Sequence, residues 1–217
     1  MIVKDYMTKH PVMVEPGMSI IEVQGMMSES RVRHLPVVRS GKRLVGLITQ
    51  ANMRIPPNLL SSMNVWEISH FLSNLTVQDV MVKGNDVVTI DPDATIEEAA
   101  QLMVLKKVGC LPVLEEGIVI GIITDTDMMA HLVEMLSAPE PSVRVTMRMK
   151  DTTGELARLV AAISEHGWGI WALSGVFSPK ISDSWDTVFK ISGVTLHQVE
   201  SVLSKVEGQQ IIDIREI

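Results

Sequence analysis

The sequence has a single cysteine, Cys110, in 217 residues, so no internal disulfide can form. It has no run of about 18 consecutive apolar residues, the length a helix needs to cross a bilayer. Its opening residues, MIVKDYMTKH, place charges where an export signal needs a hydrophobic stretch. From these absences we expect a cytoplasmic protein with no membrane partner. There is no basic excess either: the net charge is −7, whereas nonspecific nucleic-acid binding draws on a cationic face. We therefore expect no nucleic-acid partner. Reacting groups are scarce too. The six histidines are scattered without metal-ligand spacing, no Gly-rich loop ends in Lys-Ser/Thr, and there is no nucleophile elbow. His34 and His131 stand alone, and Glu97-Glu98 and Glu115-Glu116 read as solvated pairs. The expectation is no catalytic residue, no metal, no required cofactor, and no enzymatic activity.

A core and a repeat are present. Hydrophobic residues make up 46% of the chain, and its fifteen methionines read as adaptable core filling on helix faces. Charge is uneven: +4 over residues 1–55, −10 over 56–141 and −1 over 142–217. The opposed first two segments could pack together, or one could carry an anion site. Three blocks recur in order. Asp5-Tyr6-Met7 returns as Asp79-Val80-Met81. His34-Leu35-Pro36-Val37 returns as Cys110-Leu111-Pro112-Val113. Gly46-Leu47-Ile48-Thr49 returns as Gly121-Ile122-Ile123-Thr124.

Each copy reads as β-α-β-β-α. Short strands (Val12–Val14; Val87–Ile90) lead through turns to helices whose starts carry capping-box pairs, Ser19 with Glu22 and Thr95 with Glu98. Strand pairs follow, Leu35–Val38 with Leu44–Ile48 and Leu111–Leu114 with Ile118–Ile123. A closing helix begins near Gln50 or Asp125. A unit of about 55 residues buries too little surface alone, so two copies should pack on each other. Between them, Pro56-Pro57 stops the first copy, and Leu59, Met63, Trp66, Ile68, Leu72 and Leu75 suggest an amphipathic helix, either a packing element or a lid.

The Gly-x-x-Thr-x-x-Asp/Asn stretch carries chemistry. It is Gly46 to Asn52 in the first copy and Gly121 to Asp127 in the second. A strand ends, a hydroxyl appears, and a helix begins whose free N–H groups attract anions. The carboxylate three residues on can accept from sugar hydroxyls. Thr and Asp are also plain helix caps, and that is the alternative reading.

At these residues the chain resembles the CBS domain family over about residues 1–136. The resemblance implies a paired module with two clefts that bind adenosine nucleotides as regulatory ligands. It implies that Thr124 and Asp127 hold phosphate and ribose in the second cleft, and Thr49 and Asn52 in the first. Backbone near Pro11-Val12, Asp86-Val87, His34-Leu35 and Cys110-Leu111-Pro112 would line the adenine pockets. Asn52 is neutral where Asp127 is charged, while Arg31, Arg33, His34 and Arg54 lie near the first motif and Met129 replaces Arg54 in the second. We therefore expect the first cleft to favour phosphate and the second ribose.

Pro139-Glu140-Pro141-Ser142 reads as a linker. Beyond it the period-2 run Val143–Met149 is a strand with one apolar face. A helix through Leu156, Leu159, Val160 and Ile163 stops at Gly167, its start expected to carry a third capping box, Thr152 with Glu155. Strands Ile170–Val176 and Asp186–Ile191, a helix Leu196–Val206 and a strand Gln210–Ile214 complete a ferredoxin-like β-α-β-β-α-β order. This part resembles the ACT domain through Asp151, Thr152, Thr153, Gly154, Glu155 and Leu156. The resemblance implies a turn that can hold an amino acid between partner domains. Trp168 and Trp171 read as packing residues. Two CBS repeats followed by an ACT domain resemble the acetoin-utilization group of proteins.

The expected fold class is mixed α+β: a CBS repeat over 1–55, a helical linker over 56–75, a second repeat over 76–137, a short linker over 138–142 and an ACT domain over 143–217. The expected function is a homodimeric regulator that senses adenosine nucleotide and signals to an unidentified partner protein. The alternative is an amino-acid sensor acting through the ACT turn with empty CBS clefts.

Overall fold

The computed structural model describes residues 1–54, 64, 66, 74–179 and 181–217. The expected linking helix, with Pro56, Pro57, Leu59, Met63, Ile68 and Leu72, lies outside the described residues, and so does its reading as a lid. The chain forms two compact units, Met1–Ala130 and His131–Ile217. The division falls upstream of the Pro139–Ser142 segment expected as a linker. Among the described residues, no helix is long and apolar enough to cross a membrane.

The first unit contains α1 (Val3–Tyr6), β1 (Thr8–Lys9), α2 (Ile20–Ser30), β2 (His34–Arg39) and β3 (Arg43–Thr49), then α3 (Val77–Val80), β4 (Val82–Lys83), α4 (Ile96–Lys106), β5 (Cys110–Glu115) and β6 (Ile118–Thr124). Helix α5 (Asp125–Met135) follows. Local chemistry sets the helix ends. Ser19 Oγ accepts from the Glu22 N–H at 3.2 Å. At Thr95 the exchange is reciprocal: Thr95 Oγ1 accepts from Glu98 N (3.1 Å), and Glu98 Oε2 accepts from Thr95 N (2.7 Å). Both helices close on a left-handed residue, Arg31 (φ 54°) and Lys107 (φ 55°), whose N–H caps the last turn.

β2–β3 and β5–β6 are antiparallel hairpins with bulges at matching places, Val37/Val38 and Val113/Leu114. The two repeats exchange their leading segments. β1 pairs with β6 of the second repeat, Thr8 opposite Ile122. β4 pairs with β3 of the first, Val82 opposite Leu47. The preceding helices follow. Val3 is buried with Ile90, Ile96, Leu111 and Ile123, and Val77 with Val14, Ile20, Leu35 and Ile48. Each core therefore needs residues from the other repeat. The motif glycines make the crossing possible. A Cβ on Gly46 would lie 2.7 Å from the Val82 carbonyl oxygen, and one on Gly121 would strike the Met7 side chain.

Two local expectations change. The strands foreseen at Val12–Val14 and Val87–Ile90 shrink to single parallel bridges, Val14 to Val37 and Ile90 to Val113. Prolines without N–H groups bracket the first (Pro11, Pro16), and Pro92 follows the second, which curtails any ladder. Residues 50–53 form a turn where a closing helix was expected, and its continuation falls outside the described residues.

The second unit, beyond the end of α5, contains β7 (Ser142–Lys150), α6 (Glu155–Ser164), β8 (Ile170–Phe177), β9 (Ser184–Ser192), α7 (Leu196–Leu203) and β10 (Gln210–Glu216). Its sheet order is β10-β7-β9-β8, antiparallel throughout. Alternate residues of β7 and β9, including Val143, Val145, Met147, Phe189 and Ile191, are buried with Leu159, Ile163, Val199 and Leu203 of the helices. The mixed α+β class holds, with one antiparallel sheet in each unit. The third capping box does not form. α6 is capped by Gly154 (φ 97°) without a side-chain bond, because Glu155 is drawn away: its carboxylate meets Arg158 at 3.3 Å and the Gln209 amide at 3.1 Å. A box not foreseen forms at Thr195 and Gln198. Trp168 packs on the core, but Trp171, expected to pack, is exposed, because β8 is an edge strand.

Candidate functional site

The end of β6 and the start of α5 place Thr124 and Asp127 one turn apart. Asp127 Oδ2 accepts from the Thr124 N–H (2.8 Å) and from Thr124 Oγ1 (2.7 Å), and Thr124 Oγ1 accepts from the Asp127 N–H at 3.3 Å. These donors were expected to meet phosphate. They are committed to one another, so the motif is first a helix cap. What remains is the second carboxylate oxygen, Oδ1, a charged acceptor. The first motif has the same frame: Asn52 Oδ1 accepts from Thr49 N (3.1 Å) and Thr49 Oγ1 (2.7 Å). There the atom left over is the Nδ2 amide, a donor.

Thr124 and Asp127 line a cavity of about 440 Å³. Pro11, Val12, Arg31, Arg33, His34 and Leu35 of the first repeat also line it. The volume lies within the ordinary range for small-molecule sites, roughly 300–1,000 Å³. Arg31 and Arg33, expected to serve the first motif, line this cavity and also a second one of about 450 Å³ that includes Gln50 and Met53 beside the first motif. In the 440 Å³ cavity these two arginines stand with the second motif. Arg33 lies 3.8 Å from Asp125, an exposed pair contributing little. Burial, with Arg33 beside it, pushes His34 below the usual histidine range against a weaker pull from Asp125. The ring is therefore neutral near pH 7.

The remaining residues singled out in the sequence lie apart from this cavity. Arg54 and Asp86 are exposed, and Val87 is half-buried. Cys110 is buried with Leu47 and Ile122, and burial pushes its thiol up to about 12, so it stays neutral and unreactive. Leu111 belongs to a core, and Pro112 is buried. In the second unit, Asp151, Thr152, Thr153, Gly154 and Leu156 are exposed and Glu155 is buried. Thr8, His10, Ser30, Asp125 and Thr126 also line the cavity and were not foreseen. The repeat offset could have found the last two, since they sit inside the motif; the others depend on how the copies pack. Among the described residues, no group of three or more His, Cys, Asp or Glu side chains could hold a metal.

A duplicated unit with exchanged leading segments and a Thr-capped strand end in each copy is a paired repeat module. The family described as CBS domain matches residues 3–54 and 77–134, together just over half of the chain, and the protein belongs to that family. Among solved structures, the acetoin utilization protein AcuB of Vibrio cholerae is 28% identical, with a TM-score of 0.52 over 64% of this chain and 98% of that one. CBSX2 of Arabidopsis thaliana, solved with AMP, is 24% identical with a TM-score of 0.50 over 61% of this chain and 96% of that one, a likeness that shows the fold. A homoserine O-acetyltransferase of Methanohalobium evestigatum is 34% identical over 135 residues, 61% of this chain but 24% of that protein. The chain thus spans about a quarter of that relative's length.

Proposed function

We propose that the chain is a regulatory sensor whose first unit binds an adenosine nucleotide in the 440 Å³ cavity. One observation carries the reading: a single cavity joins the free Asp127 carboxylate oxygen to Arg31 and Arg33. Asp127 Oδ1 accepts from ribose hydroxyls. The guanidinium groups take phosphate through charge-assisted bonds. Adenine lies between Pro11-Val12 and the backbone of His34-Leu35. The same fold holds AMP in CBSX2. On this reading the protein is a sensor and not an enzyme. It shifts between conformations on binding and relays occupancy to a partner protein in the cytoplasm.

The same proposal assigns residues 143–217, within the second unit, to the ACT type. The β-α-β-β-α-β order and the exposed Gly154 turn support this. Its exposed sheet edges suit a homodimer. One observation favours a second reading, amino-acid sensing at Asp151–Leu156: Gly154, at φ 97° and without a side chain, lets backbone approach a small ligand.

Calorimetry with AMP, ADP and ATP on the wild type, Asp127→Ala and Arg33→Ala tests the proposal. Asp127→Ala should weaken all three at least tenfold, and Arg33→Ala should weaken ATP more than AMP. A wild type that binds none of them, or variants that bind as well as it does, would sink the nucleotide reading. Stabilisation by an amino acid alone would turn the assignment to the second.

A further inference from the structure

The open face of the second unit's sheet carries an unusual charge row. Arg215 of β10 stands opposite Arg144 of β7, and Arg144 stands opposite Lys190 of β9. Their strand neighbours Val143, Val145, Phe189 and Ile191 are buried against the helices, so these cations lie on the other face. One carboxylate serves the row. Asp213 holds Arg144 at 3.1 Å and also pairs with Arg215. Lys190 has no carboxylate within 4 Å among the described residues. Asp186, four residues back on the same strand, pairs with Arg148 at 2.6 Å. Like charges directly opposed across strands destabilise a sheet.

A cavity of about 230 Å³ lies at this point. Arg144, Lys190 and Ser174 supply its polar side, and Leu136, Ala172 and Val188 its apolar side. It is smaller than the roughly 300 Å³ at which drug-sized sites begin. The uncompensated charge calls for an anion, and the apolar wall calls for a short hydrocarbon body.

We infer that this cavity is a binding site for a short-chain aliphatic monocarboxylate. The carboxylate sits between Lys190 and Arg144 and accepts from the Ser174 hydroxyl, while the hydrocarbon body lies on Leu136, Ala172 and Val188. An α-amino acid fits poorly, because its ammonium group would meet the same two cations. The site is separate from the Asp151–Leu156 turn and does not depend on the nucleotide reading.

Calorimetry on the full chain with 3-methylbutanoate, leucine and inorganic phosphate tests this. The wild type should bind 3-methylbutanoate at least tenfold more tightly than leucine or phosphate. Lys190→Gln should weaken it at least tenfold. Leu136→Trp, which fills the cavity without touching the charges, should do the same in a protein whose circular dichroism is unchanged. Asp127→Ala should leave it unaltered. Ligand-free Lys190→Gln should melt no lower than the wild type in low salt, since it removes a repulsion. No binding by the wild type, preference for leucine or phosphate, or binding retained in either folded variant overturns the inference.

Discussion

The two strand-end motifs of the first unit share a backbone and differ in one atom that matters. At Thr124 and Asp127 the cap leaves a carboxylate oxygen; at Thr49 and Asn52 it leaves an amide nitrogen. The first accepts and carries charge, the second donates. Their settings differ as well: Thr124 and Asp127 line the 440 Å³ cavity themselves, with Arg31 and Arg33 of the opposite repeat, whereas Thr49 and Asn52 do not line it. Duplication preserved the frame, and single side chains then set what each end can hold. The duplicated Thr-x-x-Asp/Asn pattern is therefore a structural cap in both copies and a charged acceptor in only one.

The largest test of this pairing strikes the crossing glycines. Gly46→Ala should cost on the order of 2–4 kcal/mol in urea unfolding, because the new methyl meets a backbone carbonyl that cannot retreat. Gly121→Ala should cost less, about 1 kcal/mol, because Met7 is flexible. Equal losses would mean that the two crossings are not built differently. Next come the exchanged helices. Val3→Ala and Val77→Ala should each destabilise the first unit by about 1–2 kcal/mol, although they sit in opposite cores; a silent Val3→Ala would deny the exchange. Asp127→Asn should weaken nucleotide binding about tenfold while keeping the cap, with under about 1 kcal/mol lost in stability. Asn52→Asp should not weaken binding at the other motif.

The smallest effect compares His34 with Cys110, which occupy matching places in the two repeats. His34 is held below its unfolded value by burial, so its neutral form stabilises the fold fully above about pH 6.5, and that contribution is lost as pH falls through the lower folded value. Melting of the wild type should drop between pH 7.5 and 5, and His34→Gln should flatten that drop. Cys110 should stay silent over the same range and resist thiol reagents until the chain unfolds.

Much of the architecture was legible because periodicity and caps are local. The Thr95–Glu98 box, the strand pairs of both repeats and the β7-to-β10 order follow from spacing within about a dozen residues. The Thr152–Glu155 box failed because Glu155 found Arg158 and the distant Gln209. Trp171 failed because its burial depends on which strand is at the edge. For the site, the right residue types were visible, but their partition between clefts was not. Arg33 and Asp127 are 94 positions apart, and only the packing of one copy against the other brings both to one cavity. Likewise the local pattern gives no reason for the motif glycines, whereas Met7 and Val82, which cross them, require them.

The exchange of leading segments also sets a timetable. Val3 leaves the ribosome long before Leu111 and Ile123, the residues it is buried with. At ordinary elongation rates of about 5–20 residues per second, that interval is roughly 5–25 seconds. During it the earliest helix has no home, and the first repeat waits with an unfinished core until Val77 arrives. The two cores therefore close in order, the first once Val77 is made and the second, with Val3, only after Ile123.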